Sequence, residues 1–113
     1  MKYEIDATNK KLGRLASEIA VILQGKKVAA FEPRLVGEDS VLVKNIEKME
    51  VTGKKYTQKK YYHHTTQIGH LREETMRMVW EKRGPGEVLR RAIMGMLPKN
   101  RLRVARMKKL KIM

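Results

Sequence analysis

"YEIDATNKKLGRLASEIAVILQG", Tyr3 to Gly25, holds the two periodicities on which the fold reading turns. Tyr3-Glu4-Ile5-Asp6-Ala7 alternates apolar and polar side chains, the period of two expected of a half-buried strand. Thr8-Asn9 then supplies N-cap chemistry, since a short polar side chain can satisfy an amide left open at a helix start. From there Leu12, Leu15, Ala16, Ile19, Ala20 and Leu23 recur at three- and four-residue spacings, which gathers them on one helix face. Gly25 is placed to end that helix. Gly13, near its first turn, lowers helix propensity and can mark a close backbone approach.

Working outward, Val28 to Phe31 is a short apolar run stopped by Pro33, a candidate strand. Glu38-Asp39-Ser40 reads as a turn. Val41-Leu42-Val43 is continuous and β-branched-rich, as in a parallel-sheet strand buried on both faces. Ile46 to Met49 suits a helical turn, and Met49 to Thr52 a further short strand. Strand, helix and strand in this order favour an α/β fold over a helical bundle. Leu71, Thr75, Met78 and Val79 line one face of an expected helix ending near Gly84. Pro85, at a first helical position, opens another with Val88, Leu89, Ala92, Ile93 and Met96 on its apolar face. Pro98 interrupts any continuous helix. Asn100 to Met113 reads as a basic helix leading into a short strand, Leu110 to Ile112. With no internal repeat and no Gly/Ser linker, residues 1–113 read as one domain.

Charge narrows the function. Lys and Arg number 26 against 12 Asp and Glu, a net of +14. Val88 to Met113 carries nine basic residues and no acid, whereas the preceding 87 residues net only +5. A second acid-free stretch between Glu50 and Glu73 holds five basic residues. Solvated surfaces usually mix both signs, because crowded like charges repel, so two such zones point to a polyanionic partner. The chain has no cysteine, which removes disulfides and thiolate metal sites and fits an intracellular life. Its start lacks the apolar core of a signal peptide, and its longest aliphatic run, Ile19 to Leu23, is too short to span a bilayer. A soluble or peripheral protein is expected.

The second zone contains "TGKKYTQKKYYHHTTQIGH", Thr52 to His70, with four lysines, three tyrosines and three histidines. A metal site on His63, His64 and His70 is disfavoured, because adjacent histidines diverge and Lys59 and Lys60 oppose a cation. Gly25-Lys26 and Gly53-Lys54 lack the upstream glycine of a phosphate loop, Ala20 and Lys48 standing there instead. Ser17 and Ser40 sit in no glycine-flanked elbow. The pairs Glu38-Asp39 and Glu73-Glu74 lie in polar contexts that suit solvated roles. No enzyme is expected. Nucleic acid fits better: Lys54, Lys55, Lys59 and Lys60 can neutralise phosphates, while Tyr56, Tyr61, Tyr62 and the histidines offer flat faces. One tyrosine of the Tyr61-Tyr62 pair is equally suited to packing in the core. Trp80 and most of the methionines are also expected there.

"LGRLASEIAVILQGK" (Leu12 to Lys26), "VLVKNIEKMEVTGKK" (Val41 to Lys55), "KKYYHHT" (Lys59 to Thr65) and "AIMGMLPKN" (Ala92 to Asn100) occur in an order that resembles one family. It is the large ribosomal subunit protein family numbered thirteen, in its bacterial form. The resemblance covers essentially the whole chain. It implies a three-layer α/β/α fold with a four-stranded parallel sheet and a basic C-terminal helical tail. It also implies a structural role in binding 23S-type ribosomal RNA early in large-subunit assembly, beside neighbouring ribosomal proteins in the cytoplasm. No cofactor, metal, membrane or small-molecule substrate is implied. The RNA-facing residues would be Lys54, Lys55, Lys59, Lys60, Tyr61, Tyr62, His63 and His64 in a loop over about 52–70. To these are added Arg90, Arg91, Lys99, Asn100, Arg101, Arg103, Arg106, Lys108, Lys109 and Lys111, mostly in a tail over about 99–113. Ile68-Gly69-His70 and Arg103-Val104 depart from the family pattern.

Such a tail repels itself, so it is expected to stay poorly ordered until phosphates neutralise it. Its cations would then be dispensable for folding. A peripheral membrane role is the competing reading, through an amphipathic helix with Leu102, Val104, Met107 and Leu110 between the cations.

Overall fold

The computed structural model describes residues 2–27, 29, 39–51, 53–64, 69 and 71–112. Strand β1 (Lys2–Asp6) leads to helix α1 (Leu12–Gln24), and β2 (Ser40–Lys44) returns beside β1. The pairing is parallel, Tyr3 against Val41 and Ile5 against Val43, so the apolar members of both strands share a face. α1 packs there through Leu15, Ala16, Ile19, Ala20, Ile22 and Leu23, all buried in the main core. Gly25 ends it as expected, in the left-handed region at φ 82°, with its N–H donating to the Ile22 carbonyl at 3.0 Å.

The start of α1 differs from the expectation. Its flanking residue is Lys11, and no side chain caps it. Instead the Leu12 N–H donates to the Glu50 carbonyl at 3.0 Å, and the Glu50 N–H returns to Lys10 at 2.9 Å. Thr8 turns the chain after β1, its N–H and hydroxyl donating to Asp6 Oδ1 at 2.9 and 2.6 Å. The same exchange limits the expected Met49–Thr52 strand to a single parallel bridge, Lys11 to Glu50. Beyond Leu12 the partner backbone is helical and offers no ladder. Thr52 lies outside the described residues, as do 28 and 30–38; Ala29 sits in a turn. Among the described residues the parallel sheet therefore has three strands, in the order β1-β2-β5, rather than four.

The second half corrects two readings. β3 (Lys60–His64) and β4 (Leu71–Thr75) form an antiparallel hairpin where a loop and the start of a helix were expected. Thr75 is not a helix-face residue: it caps α3 (Met76–Arg83), its hydroxyl accepting from the Met78 N–H at 3.3 Å. The buried side chains there are Met76 and Val79, while Leu71 and Met78 are exposed. A short helix, α2 (Lys55–Gln58), leans on α3 through a Tyr56–Trp80 edge-to-face contact at 5.8 Å. Gly84, at φ 85°, then breaks the chain so that Pro85 opens α4 (Pro85–Met96).

The C-terminal tail is built into the fold. After α5 (Leu102–Met107), β5 (Leu110–Ile112) lies parallel to β2, pairing Leu110 with Val41 and Ile112 with Val43. Arg106, Met107 and Leu110 are buried. A close approach, looked for at Gly13, occurs at Gly86 of α4, where an added Cβ would meet Ile112 Cγ2 at 3.3 Å. Nothing among the described residues crowds Gly13. The methionines divide: Met49, Met76 and Met107 are buried, whereas Met78, Met94 and Met96 are exposed.

α1, α4 and Met107 of α5 join the core on the Ile5–Val41–Val43–Leu110 face. The alternate strand positions, Lys2, Glu4, Lys44 and Lys111, are exposed, with Leu42 half-buried among them. Two layers, not three, are thus seen among the described residues. A smaller cluster of Met76, Val79 and Val88 sits under the hairpin and joins the main core through Leu12 and Trp80.

Two outcomes follow from this packing. Leu110→Ala should lower the unfolding free energy by about 2–5 kcal/mol in urea titration, the range for removing a buried leucine side chain. A disordered tail would leave it unchanged. Asp6 is held down to about 2 from 3.8, first by the Thr8 hydroxyl, then by the Thr8 N–H and by Asn45 Nδ2 at 3.2 Å. A depressed carboxyl stabilises above its unfolded pKa and loses that contribution as pH falls through the folded value. The melting temperatures of the native chain and Asp6→Ala should therefore differ at pH 7 and converge as pH approaches 2.

Candidate nucleic-acid interface

The β3–β4 hairpin sorts its side chains by the alternation of a strand. Tyr61 and His63 share one face with their cross-strand partners Glu74 and Arg72. Lys60 and Tyr62 share the other with Thr75 and Glu73, where Lys60 Nζ meets Glu73 Oε1 at 2.8 Å. That hydrogen bond and the carboxylate charge raise the Lys60 pKa. The pair is exposed and contributes little to stability.

The tyrosine pair divides between the two roles open to it. Tyr61 is half-buried against the Met76–Val79–Val88 cluster, with the Arg91 guanidinium 5.1 Å from its ring centroid and Lys59 Nζ at 6.0 Å. Cations over an aromatic face are attracted by the ring quadrupole. Burial pushes the Tyr61 hydroxyl pKa up, and Arg91 opposes that shift. Tyr62 remains 62% exposed.

Between the hairpin and the helices lies an open cleft of about 610 Å³. β3 contributes Tyr61, Tyr62 and His63, and β4 contributes Arg72 and Glu74. Arg83 enters from the end of α3, Arg91, Met94 and Gly95 from α4, and Arg103 from α5. Four arginines and the rings of Tyr61 and His63 thus share the cleft with one carboxylate, Glu74. Glu87, in the first turn of α4, holds two of the arginines: its Oε1 lies 3.3 Å from Arg91 Nε and 3.8 Å from Arg83 Nη1.

Sequence reasoning placed Tyr61, Tyr62, His63, Arg91 and Arg103 among the candidate residues, and all five line this cleft. Arg72 and Arg83 were not named. Arg72 lies inside the second acid-free zone and was within reach of the charge argument. Arg83 follows Glu81 and precedes Glu87, so local charge conceals it. Lys54, Lys55 and Lys59 are exposed around α2, and Arg90 is half-buried on α4. His70 lies outside the described residues, as does the side chain of His64. No group of three His, Asp or Glu side chains able to hold a metal gathers among the described residues.

The tail cations do not form one surface. Lys99 and Arg101 are exposed in the turn after α4. Asn100 shapes that turn, its Oδ1 accepting from the Leu102 N–H at 3.0 Å and its carbonyl from the Arg103 N–H at 3.1 Å. Arg103 reaches the cleft, whereas Arg106 is buried and so withdrawn from a surface role. Lys108, Lys109 and Lys111 line a second cleft of about 370 Å³ with Lys2, Glu4 and Leu42. The amphipathic membrane helix loses half of its apolar face, because Met107 and Leu110 are committed to the core while Val104 stays exposed. No described helix is long and apolar enough to cross a membrane.

The sequence profile described as Ribosomal protein L13 matches residues 1–113. The chain is similar to the large ribosomal subunit protein uL13 of Aquifex aeolicus, at 52% identity over 110 residues. It is 50% identical to uL13 of Lawsonia intracellularis and 46% to that of Clostridioides difficile, again over 110 residues. Each alignment covers 97% of this chain and 76% of the relative.

The Tyr61–Arg91 contact has a readable consequence. An alkaline absorbance titration should find one tyrosine ionising above the ordinary value of 10.0. Arg91→Ala should raise it further, because the opposing charge is gone. Burial favours the neutral phenol in the folded state, so its contribution is complete below the unfolded pKa and fades as pH rises through the folded one. A downward shift in Arg91→Ala would contradict the contact.

Proposed function

The chain belongs to the ribosomal protein L13 family, and on that premise we propose that it binds 23S-type large-subunit ribosomal RNA as a structural, non-catalytic component. It supports early assembly of the subunit, in the cytoplasm and beside neighbouring ribosomal proteins. It needs no cofactor and acts on no small-molecule substrate. The observation that carries this reading is the cleft of four arginines with the Tyr61 and His63 rings and a single lining carboxylate. Guanidinium groups match phosphate oxygens as rigid forks, and aromatic rings and guanidinium planes accept unpaired bases.

The exposed lysines around α2 and those of the second cleft supply further positive charge. Lys108, Lys109 and Lys111 act there as point charges that hold register rather than read sequence. Arg106 has no place among the phosphate contacts, since it is buried.

Binding through this surface should be strongly salt-dependent, because each phosphate neutralised releases condensed counterions. With about six phosphates engaged, affinity for a large-subunit RNA fragment should fall roughly a thousandfold between about 50 and 200 mM salt. Arg72→Ala combined with Arg103→Ala should make the slope of log affinity on log salt shallower by up to about two. Filter binding at several salt concentrations measures both. A flat response would show that these cations do not form the RNA surface.

A further inference from the structure

The hairpin cleft has a chemistry that a surface made only for double-stranded backbone does not need. A duplex presents phosphates and 2′-hydroxyls on its outside and keeps its base faces stacked within. Exposed lysines suffice for that contact, and the chain has them around α2. The cleft is instead a concave space of about 610 Å³, within the range of pockets that enclose a small organic molecule.

Its walls are flat and cationic. His63 stands directly across the hairpin from Arg72, both exposed and on the cleft face. Arg103 lines the opposite side from α5, and no carboxylate among the described residues forms an ion pair with Arg72 or Arg103. Arg91 is committed to Glu87 and the Tyr61 ring, so it closes the floor. Glu74, the lone acid, repels a phosphate but can accept a hydrogen bond from the exocyclic amine of a base. A cleft for phosphate alone gains nothing from it.

We propose that this cleft takes one nucleotide extruded from an RNA helix, its base stacked on the His63 imidazole and its flanking phosphates held by Arg72 and Arg103. Glu74 favours a base that carries an amino group. This rests on the RNA-binding reading above and assigns it a ligand: a bulged or looped-out nucleotide rather than a run of duplex. Stacking accounts for an aromatic side chain left in solvent among arginines, since every base offers a π-face.

The test uses the full chain and two RNA hairpins of equal length, one with a single bulged 2-aminopurine and one fully paired. At fixed salt the bulged hairpin should bind about tenfold more tightly, or better, and its fluorescence should change on binding as the base enters the cleft. His63→Ala should abolish the preference, and His63→Phe should restore it, because the ring face rather than a ring nitrogen carries the contact. Equal affinity for the two hairpins, or a preference untouched by His63→Ala, would overturn the nucleotide assignment while leaving RNA binding intact. Failure to bind either hairpin at low salt would overturn the assignment and the RNA reading together.

Discussion

Parallel pairing of β5 with β2 is the constraint on which the remaining geometry depends. The Val41 N–H donates to the Lys109 carbonyl at 3.1 Å, and the two strands then run in register from Val41–Leu110 to Val43–Ile112. The pairing draws the most basic part of the chain into the core and buries Met107 and Leu110 beside α1. It also sets Ile112 beneath Gly86, where only a glycine leaves room for α4 to come so close without displacing its neighbour. α4 and α5 are thereby held in one arrangement, and Arg91 and Arg103 reach the same cleft as a consequence. Burying Arg106 costs desolvation that a surface arginine would not incur. The tail is thus structural as well as electrostatic.

The hairpin stands on a smaller foundation. Met76, Val79 and Val88 form a cluster linked to the main core through Leu12 and Trp80. Tyr61 is packed against that cluster while Tyr62 stays in solvent, which follows from strand alternation alone. A helix in this segment would have scattered His63, Arg72 and Tyr61 around its axis. The antiparallel ladder brings them to one face, opposite the arginines of α3, α4 and α5. The site arises where the hairpin's cluster meets the main core, with α4 contributing Val88 to the one and Leu89 and Ile93 to the other.

Legibility in the sequence followed the strength of the local signal. α1, its glycine stop, the Val41–Val43 strand, the Pro85 start of α4 and the Leu110–Ile112 strand all announced themselves through periodicity or a conformationally special residue. The hairpin did not. Leu71-Arg72-Glu73-Glu74 is built from good helix formers, and its strand state is decided by pairing with β3, a tertiary effect that overrides propensity. Thr8 was read as helix-cap chemistry and Thr75 as a helix-face residue, whereas Thr8 closes a turn onto Asp6 and Thr75 caps α3, roles settled by where β1 and β4 end. The tail's composition pointed to solvated chain, while its alternating Leu110 and Ile112 marked the strand that binds it. Among the site residues, Arg83 was hidden by neighbouring acids. Arg106 was misassigned because charge says nothing of burial.

On the reading proposed above, RNA lies in the cleft between the hairpin and the last three helices. Ultraviolet cross-linking of the chain to 23S-type ribosomal RNA, with the linked peptides identified by mass spectrometry, locates that surface. Cross-links should concentrate on the peptides carrying Tyr61, Tyr62, His63 and Arg72, with further sites near Arg91 and Arg103. Cross-links confined to α1 and the exposed sheet face around Lys2, Leu42 and Lys111, with none on the hairpin, would contradict it.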